Sequence, residues 1–91
     1  MKPDLQTKEL LDDLISKIPP EENKRLDYSF RIADRICEVL KNKGISQRQL
    51  AKLTGKQPSE ISRWVSGQHN FTLASLAKLS IALNHDFIEV V

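Results

Sequence analysis

Three side chains that can read nucleic-acid bases lie within one seven-residue segment: Gln57, Glu60 and Arg63. Arginine can donate two hydrogen bonds to guanine, glutamine can pair with adenine through two hydrogen bonds, and glutamate can accept one from the amino group of cytosine. None of these interactions makes or breaks a covalent bond. The chemistry that this segment favours is therefore recognition of bases, which requires elements that hold the three side chains on one exposed surface.

Residue types for catalysis or metal binding do not occur at a functional spacing. Cys37 is the only cysteine, which excludes an internal disulfide and a zinc site built on several thiolates. His69 and His85 are the only histidines, and there is no glycine-rich phosphate loop, His-Glu-x-x-His run or Gly-x-Ser-x-Gly elbow. We expect no enzyme activity, no cofactor and no metal site. We expect Cys37 to be a small buried hydrophobic residue at the edge of a helix face.

Two short amphipathic helices are predicted around the base-reading candidates. Their apolar stripes, at helical spacing, consist of Leu50, Ala51 and Leu53 and of Ile61, Trp64 and Val65. Residues 54–57 separate the stripes and include Gly55, which can adopt the positive φ of a tight turn. Two helices joined steeply by such a turn form a helix-turn-helix. The pattern favours nucleic-acid binding, with Trp64 in the core rather than stacked on bases.

The start of the second helix is predicted to bind phosphate. Ser46 is followed three residues later by Gln49, which forms a capping box in which each side chain accepts from the other residue's free amide. Gln47 and Arg48 fall in the first turn, where the helix dipole and free amide groups favour an anion. We therefore expect Ser46, Gln47 and Arg48 to contact DNA phosphates.

The third helix is predicted to begin at Gln57 or Pro58, because proline costs no hydrogen bond at the first helical position, and to end at Gly67. Its outward face contains Ser59, Ser62, Arg63 and Ser66, with Glu60 on the flank and Gln57 at the amino end. These side chains are short enough for a ~12 Å major groove. Glu60 is unfavourable near phosphates unless it finds a cytosine or pairs with Lys56 or Arg63, and both alternatives remain open.

The loop after the third helix supplies one more candidate contact. Asn70 is placed where side chains commonly reach a phosphate. His69 beside it is expected to be an exposed loop residue without a titration role.

Length and charge are consistent with a small DNA-binding domain. The 91 residues allow one domain with a single small core, and no apolar run approaches the ~20 residues of a membrane span. Residues 44–70 carry four basic and one acidic side chain and residues 28–43 four basic and two acidic, whereas both ends are net negative. The amino terminus has acidic residues where the apolar part of a signal peptide would lie, so we expect a cytoplasmic protein.

The amino-terminal part of the chain predicts a separate helix. Residues 4–18, with Asp4 or Thr7 as the cap, carry an apolar stripe of Leu10, Leu11, Leu14, Ile15 and Ile18. Pro19 and Pro20 are expected to end this helix, and residues 21–25 to form a charged connector. A helix set apart in this way either packs back on the core or binds a partner.

Two further helices and a tail complete the expected fold. A helix capped by Asp27 should end at Gly44, which favours the left-handed conformation that follows a helix. This helix should bury Ile32, Ile36, Val39 and Leu40, with Phe30, Ala33 and Cys37 widening the face. Another helix, over residues 73–83, should be capped by Thr72 and ended by Asn84. Residues 87–91 are apolar and β-prone, and a second copy of the chain is the simplest partner for such a strand.

The central motifs resemble the Cro and phage-repressor class of helix-turn-helix domains. The resemblance covers about residues 31–84, and it is carried by Gly44-Ile45-Ser46-Gln47, Gln49-Leu50-Ala51, Gly55, Ser59-Glu60-Ile61-Ser62-Arg63-Trp64 and Ser66-Gly67. The continuation, His69-Asn70-Phe71-Thr72-Leu73, looks like that of HigA-type antitoxins. The resemblance implies an α domain of about five helices that binds operator DNA as a dimer.

Individual roles follow from the resemblance only where positions match. Gln47 would correspond to the family's phosphate-binding glutamine, and Gln57, Pro58, Ser59 and Arg63 to positions that face bases or backbone. Pro58 departs from the usual polar residue, which puts direct readout there in doubt. The amino-terminal leader and residues 87–91 are not part of the shared motif.

The sequence thus predicts an all-α, lambda-repressor-like helix-turn-helix bundle. Residues 1–26 are expected to form the leader helix and connector, 27–86 the DNA-binding domain and 87–91 the tail. We expect a sequence-specific repressor that inserts residues 57–66 into the major groove as a homodimer and serves as the antitoxin to a toxin protein. The alternatives are a free-standing regulator or an interaction module that binds its partner through the leader. The candidate DNA contacts are Ser46, Gln47, Arg48, Lys56, Gln57, Pro58, Ser59, Glu60, Ser62, Arg63 and Asn70.

Overall fold

A computed structural model of the chain describes residues 17–90, which contain four α-helices and no strand. We number the helices α1 (Pro20–Lys43), α2 (Gln47–Thr54), α3 (Pro58–Ser66) and α4 (Leu73–Leu83). The all-α helix-turn-helix class is therefore confirmed. The helix predicted over residues 4–18 lies outside the described residues, apart from a turn at Lys17 and a bend at Ile18.

Helix α1 begins earlier than the sequence predicted, so the expected connector over residues 21–25 is wrong. Pro19 is the N-cap residue and its carbonyl accepts from the amides of Glu22 at 3.0 Å and Asn23 at 3.1 Å. Pro20 takes the first helical position, where a missing amide hydrogen costs nothing. Because Glu21 and Glu22 also favour a helix amino end, the proline pair starts a helix here and Asp27 lies within it.

The core is formed where α1 to α4 converge. Its fully buried large side chains are Ile36, Leu50, Ile61, Trp64, Leu79 and Leu83. Each helix contributes through a narrow stripe, and on α1 this stripe follows Ser29, Ala33, Ile36 and Leu40 at alternating spacings of four and three. Burial of this apolar surface holds α3 against the other helices.

Three side chains expected in the core are exposed instead. Phe30 and Cys37 each follow a buried stripe residue of α1 by one position, which turns them about 100° away from the core. Leu53 is 56% exposed because the inner face of α2 continues through Thr54. The Thr54 hydroxyl is buried and donates to the carbonyl of Leu50 at 2.8 Å, so its polar atom is satisfied.

The carboxyl end of α1 and both ends of α4 agree with the sequence prediction. Gly44 has φ +65° after α1, and Asn84 has φ +47° after α4. The amide of Ser75 donates to Thr72 Oγ1 at 3.1 Å at the start of α4. Residues 85–90 continue without regular structure. Phe87 packs against the core, and its backbone amide donates a hydrogen bond of 3.4 Å to Ser80 Oγ.

Candidate nucleic-acid interface

Helices α2 and α3 are joined by the tight turn that the sequence predicted at Gly55. Gly55 has φ +69°, a conformation that an L side chain rarely adopts, and its amide donates to the carbonyl of Ala51. The amide of Lys56 donates to the same carbonyl at 3.1 Å. The turn closes the end of α2 and starts α3 three residues later at Pro58.

Burial of the inner faces leaves the opposite faces of the two helices exposed. Leu50 and Ala51 of α2 are buried, as are Ile61 and Trp64 of α3. Side chains on the other side of α3 must then point to solvent, since the helix has only one buried stripe. Of the eleven candidate DNA contacts, Lys56 and Glu60 are half-buried and the other nine are exposed.

The start of α2 has the capping box predicted from the sequence. The Ser46 amide donates to Gln49 Oε1 at 2.8 Å, and the Gln49 amide donates to Ser46 Oγ at 3.1 Å. This reciprocal bonding fixes the first turn, where the side chains of Gln47 and Arg48 are exposed. A phosphate placed there would meet the positive end of the helix dipole and a guanidinium group.

At the amino end of α3, the Gln57 side chain does not cap the helix, and Lys56 forms an ion pair with Glu60. Gln57 is the N-cap residue in extended conformation, but its side chain makes no capping bond, and Pro58 occupies the first helical position. Lys56 Nζ lies 3.9 Å from Glu60 Oε2. The sequence offered two basic side chains, Lys56 and Arg63, as pairing partners for Glu60. The folded chain places Lys56 beside the Glu60 carboxylate. This pairing reduces the repulsion that Glu60 would exert on a phosphate.

The remaining candidates divide between α3 and the following loop. Ser62 and Arg63 are exposed on α3, and the Arg63 carbonyl accepts from Ser66 Oγ at 3.0 Å. Asn70 lies beyond the end of α3 and lines a groove whose other walls come from α1 and the tail. Seven of the eleven candidates therefore lie within α2 and α3, and three more, Ser46, Lys56 and Gln57, lie at the helix caps and in the turn between the helices. Asn70 lies beyond them in the loop.

His69 has an environment that the sequence did not reveal. Its ring centroid lies 5.7 Å from that of Trp64 and 4.9 Å from that of Phe71, the latter edge to face. Its Nε2 is buried without a hydrogen-bond partner among the described residues. Burial lowers the pKa of His69 below its ordinary value, Arg63 and Lys56 lower it further, and Glu60 partly opposes them. His69 is therefore a neutral aromatic support for the end of α3 rather than an exposed loop residue.

Other kinds of site receive no support from the described part of the chain. Within residues 17–90, no group of three or more His, Cys, Asp and Glu side chains could hold a metal ion. Cys37 is exposed, with its Sγ 3.7 Å from the carbonyl of Val65. No helix of this part is long and apolar enough to cross a bilayer.

Comparison with known proteins agrees with the geometry. The helix-turn-helix family model matches residues 36–89, which is more than half of the chain and includes α2, the Gly55 turn, α3 and α4. No curated protein and no solved structure matches.

Proposed function

The chain belongs to the Cro/C1-type helix-turn-helix family of DNA-binding transcription regulators, which is not an enzyme family, and from this we propose that it is a sequence-specific repressor. The observation that carries the proposal is the division of α3 into two faces. Ile61 and Trp64 anchor the helix in the core, while Ser59, Ser62 and Arg63 are exposed on the other side. A helix held in this way presents polar side chains to a major groove.

We assign separate roles to the two helices. The capped start of α2, with Ser46, Gln47 and Arg48, contacts the phosphate backbone and sets the orientation on DNA. Gln57 and Arg63 of the α3 segment read base edges, and Ser59 and Ser62 lie between them. Lys56 supplies positive charge beside Glu60, and Asn70 contacts a phosphate from the loop.

We further propose that the protein binds DNA as a homodimer, with half-sites about one helical turn, ~34 Å, apart. Exposed apolar side chains support this. On α4, which has one charged residue in eleven, Leu73 is 77% and Ile81 is 85% exposed, and Val90 of the tail is 91% exposed. A second copy would cover the exposed apolar residues of α4 by packing against that helix, or those of the tail by pairing with residues 87–91.

Replacement of Ile81 by aspartate tests the dimer. We expect Ile81→Asp to sediment as a monomer at concentrations where the wild type is a dimer, because a carboxylate in an apolar interface is strongly unfavourable. Leu53→Asp is the matched control, since Leu53 is also exposed but lies on α2. A dimer that survives Ile81→Asp would exclude the α4 surface and leave the tail.

A mobility-shift assay tests the DNA-binding assignment once a cognate site has been selected from random sequences. We expect Arg63→Ala to lose ~1–3 kcal/mol of preference for that site over random DNA, because one bidentate base contact is removed. Lys52→Ala removes an exposed positive charge of α2 outside the candidate set, and it should weaken both affinities alike. Unchanged discrimination in Arg63→Ala would refute base reading by this residue.

We propose the antitoxin role on the likeness of residues 69–73 to HigA-type antitoxins. A small basic reading frame with nuclease character beside this gene would support it. Growth of cells expressing that neighbour, with and without this chain, is the direct test. If the neighbour is harmless by itself, the protein is a free-standing regulator. A cytoplasmic location fits either role and stays a prediction.

A further inference from the structure

The carboxyl end of α3 is in contact with a side chain that lies outside the core. Phe30 of α1 is 50% exposed, yet one edge of its ring lies against Gly67, the residue that ends α3. Cys37 follows two turns later on the same side of α1, and its Sγ lies 3.7 Å from the carbonyl of Val65 in α3. Phe30 and Cys37 thus form a second line of contact between α1 and α3, beside the buried stripe of α1.

Gly67 is linked through the backbone to Arg63, the base-reading candidate one turn earlier. The amide of Gly67 donates to the carbonyls of Arg63 and Trp64, and the amide of Gln68 donates to the Arg63 carbonyl at 3.1 Å. These bonds close the last turn of α3, so a shift of Gly67 moves the backbone that carries the Arg63 side chain. Because that side chain is exposed, the position of this backbone determines where its guanidinium group can reach.

We propose that Phe30 is a positioning residue for base recognition: its ring fixes how the carboxyl end of α3 sits on α1 and thereby directs Arg63 toward DNA. The inference rests on the proposed DNA-binding function. Ile61 and Trp64 anchor α3 in the core, but packed helices can still slide and tilt slightly against one another. A contact at the helix end opposes such movement because it acts at a distance from the anchor. Two hydrogen bonds to one base require close alignment, so a small tilt weakens them.

Formation of the core does not by itself account for the Phe30 ring. Half of its surface stays in water, and the contact at its edge is with Gly67, whose lack of a side chain leaves room for the ring. Tyr28 provides a comparison, since it is an α1 aromatic of similar exposure, 53%. It lies two residues before Phe30, which places it roughly on the opposite side of α1 at ~100° per residue. Its ring centre there lies 5.1 Å from Lys24 Nζ.

The ratio of the affinities for cognate and random DNA tests the proposal, because partial unfolding lowers both affinities alike and leaves their ratio unchanged. We expect Phe30→Ala to lower this ratio roughly threefold to thirtyfold, the range for residues that influence a site without touching its ligand. Tyr28→Ala, the matched control, should leave the ratio unchanged. Phe30→Tyr keeps the ring edge that meets Gly67 and should keep the wild-type ratio. Phe30→Leu should lower the ratio in the same direction and remains informative if Phe30→Ala does not fold.

A double variant shows whether Phe30 acts through Arg63. If it does, Phe30→Ala should lower the ratio no further once Arg63→Ala has removed the base contact. A wild-type ratio in both Phe30→Ala and Phe30→Leu would overturn the proposal, and so would a full additional loss in the double variant. Failure of the proposed function is distinguishable from these outcomes, because the wild type itself would then prefer no DNA sequence and both proposals would fall together.

Discussion

The ring of Phe30 packs so closely on Gly67 that a Cβ atom at position 67 would lie 2.5 Å from Phe30 Cδ1. Gly67 ends helix α3, and its φ of +79° is one that L side chains rarely adopt. The contact joins the carboxyl end of α3 to α1 across a long separation in sequence. Position 67 therefore requires glycine for its backbone conformation and for its lack of a side chain.

Gly67→Ala is expected to destabilise the fold more than Gly44→Ala. Both alanines would be strained at positive φ by ~1–2 kcal/mol, but a Cβ at Gly44 meets no atom within 4 Å. The Phe30 ring is half exposed and can move outward, so we expect the overlap to add ~1 kcal/mol, at the low end of overpacking effects. Denaturant unfolding of the two variants measures the difference. Equal losses of unfolding free energy in the two variants would show that the overlap with Phe30 does not destabilise Gly67→Ala.

Local patterns predicted the helices well because their signals lie within a few residues. The capping box of Ser46 and Gln49, the Gly55 turn and the Thr72 cap are all short-range features, and all three are present. The start of α1 was predicted too late because the pair Pro19-Pro20 can either end one helix or begin the next. Two prolines end a preceding helix, but the second of them is also suited to the first position of a new one.

The surroundings of the candidate site depend on contacts between distant residues, which periodicity does not contain. Phe30 belonged by spacing to the apolar face of α1, yet its ring covers Gly67. His69 was expected to be exposed, yet it packs on Trp64 and Phe71. The exposed face of α3 could be derived from the sequence because one buried stripe determines the opposite side. The DNA contacts assigned to that face stay predictions.

Substitutions of Ser46 separate helix capping from phosphate binding. Ser46→Ala removes the bond from the Gln49 amide and should cost ~1 kcal/mol of stability. Ser46→Asp keeps an oxygen acceptor at the cap, so we expect it to be about as stable as the wild type. Its negative charge should nevertheless weaken binding to all DNA sequences. Denaturant unfolding and mobility shift, measured on both variants, test these effects. Undiminished DNA binding by Ser46→Asp would exclude a phosphate at the start of α2.

Protonation of His69 is expected to destabilise the protein in mildly acidic solution. Its pKa in the folded chain is lowered from 6.5, mainly by burial. The unfolded chain therefore binds a proton more readily, and the free energy of unfolding should fall as the pH decreases from about 6.5 towards the lowered pKa. At higher pH, His69 is neutral in both the folded and the unfolded chain, so its titration no longer lowers the free energy of unfolding. His69→Phe keeps an aromatic ring without a titrating group and should remove this part of the pH dependence.

Denaturant unfolding between pH 5 and pH 8 measures the effect of His69. His85→Gln is the matched control, because it replaces the other histidine and leaves the Trp64, His69 and Phe71 cluster unchanged. If the free energy of unfolding of His69→Phe changed with pH in the same way as that of the wild type, His69 would not be a source of the pH dependence.

Glu60→Gln distinguishes a charge paired with Lys56 from a base-reading carboxylate. Because Lys56 Nζ lies 3.9 Å from Glu60 Oε2, we expect Glu60 to act on DNA mainly through its charge. Removing that charge frees Lys56 for phosphate and lessens repulsion, so binding to cognate and random DNA should tighten alike and depend more steeply on salt. Lys56→Met is the complementary variant, which should weaken both affinities. If Glu60→Gln instead lost its preference at a single base pair, while its affinity for random DNA stayed the same, the carboxylate would be accepting from a cytosine. The recognition surface would then extend from Gln57 and Arg63 to Glu60 on its flank.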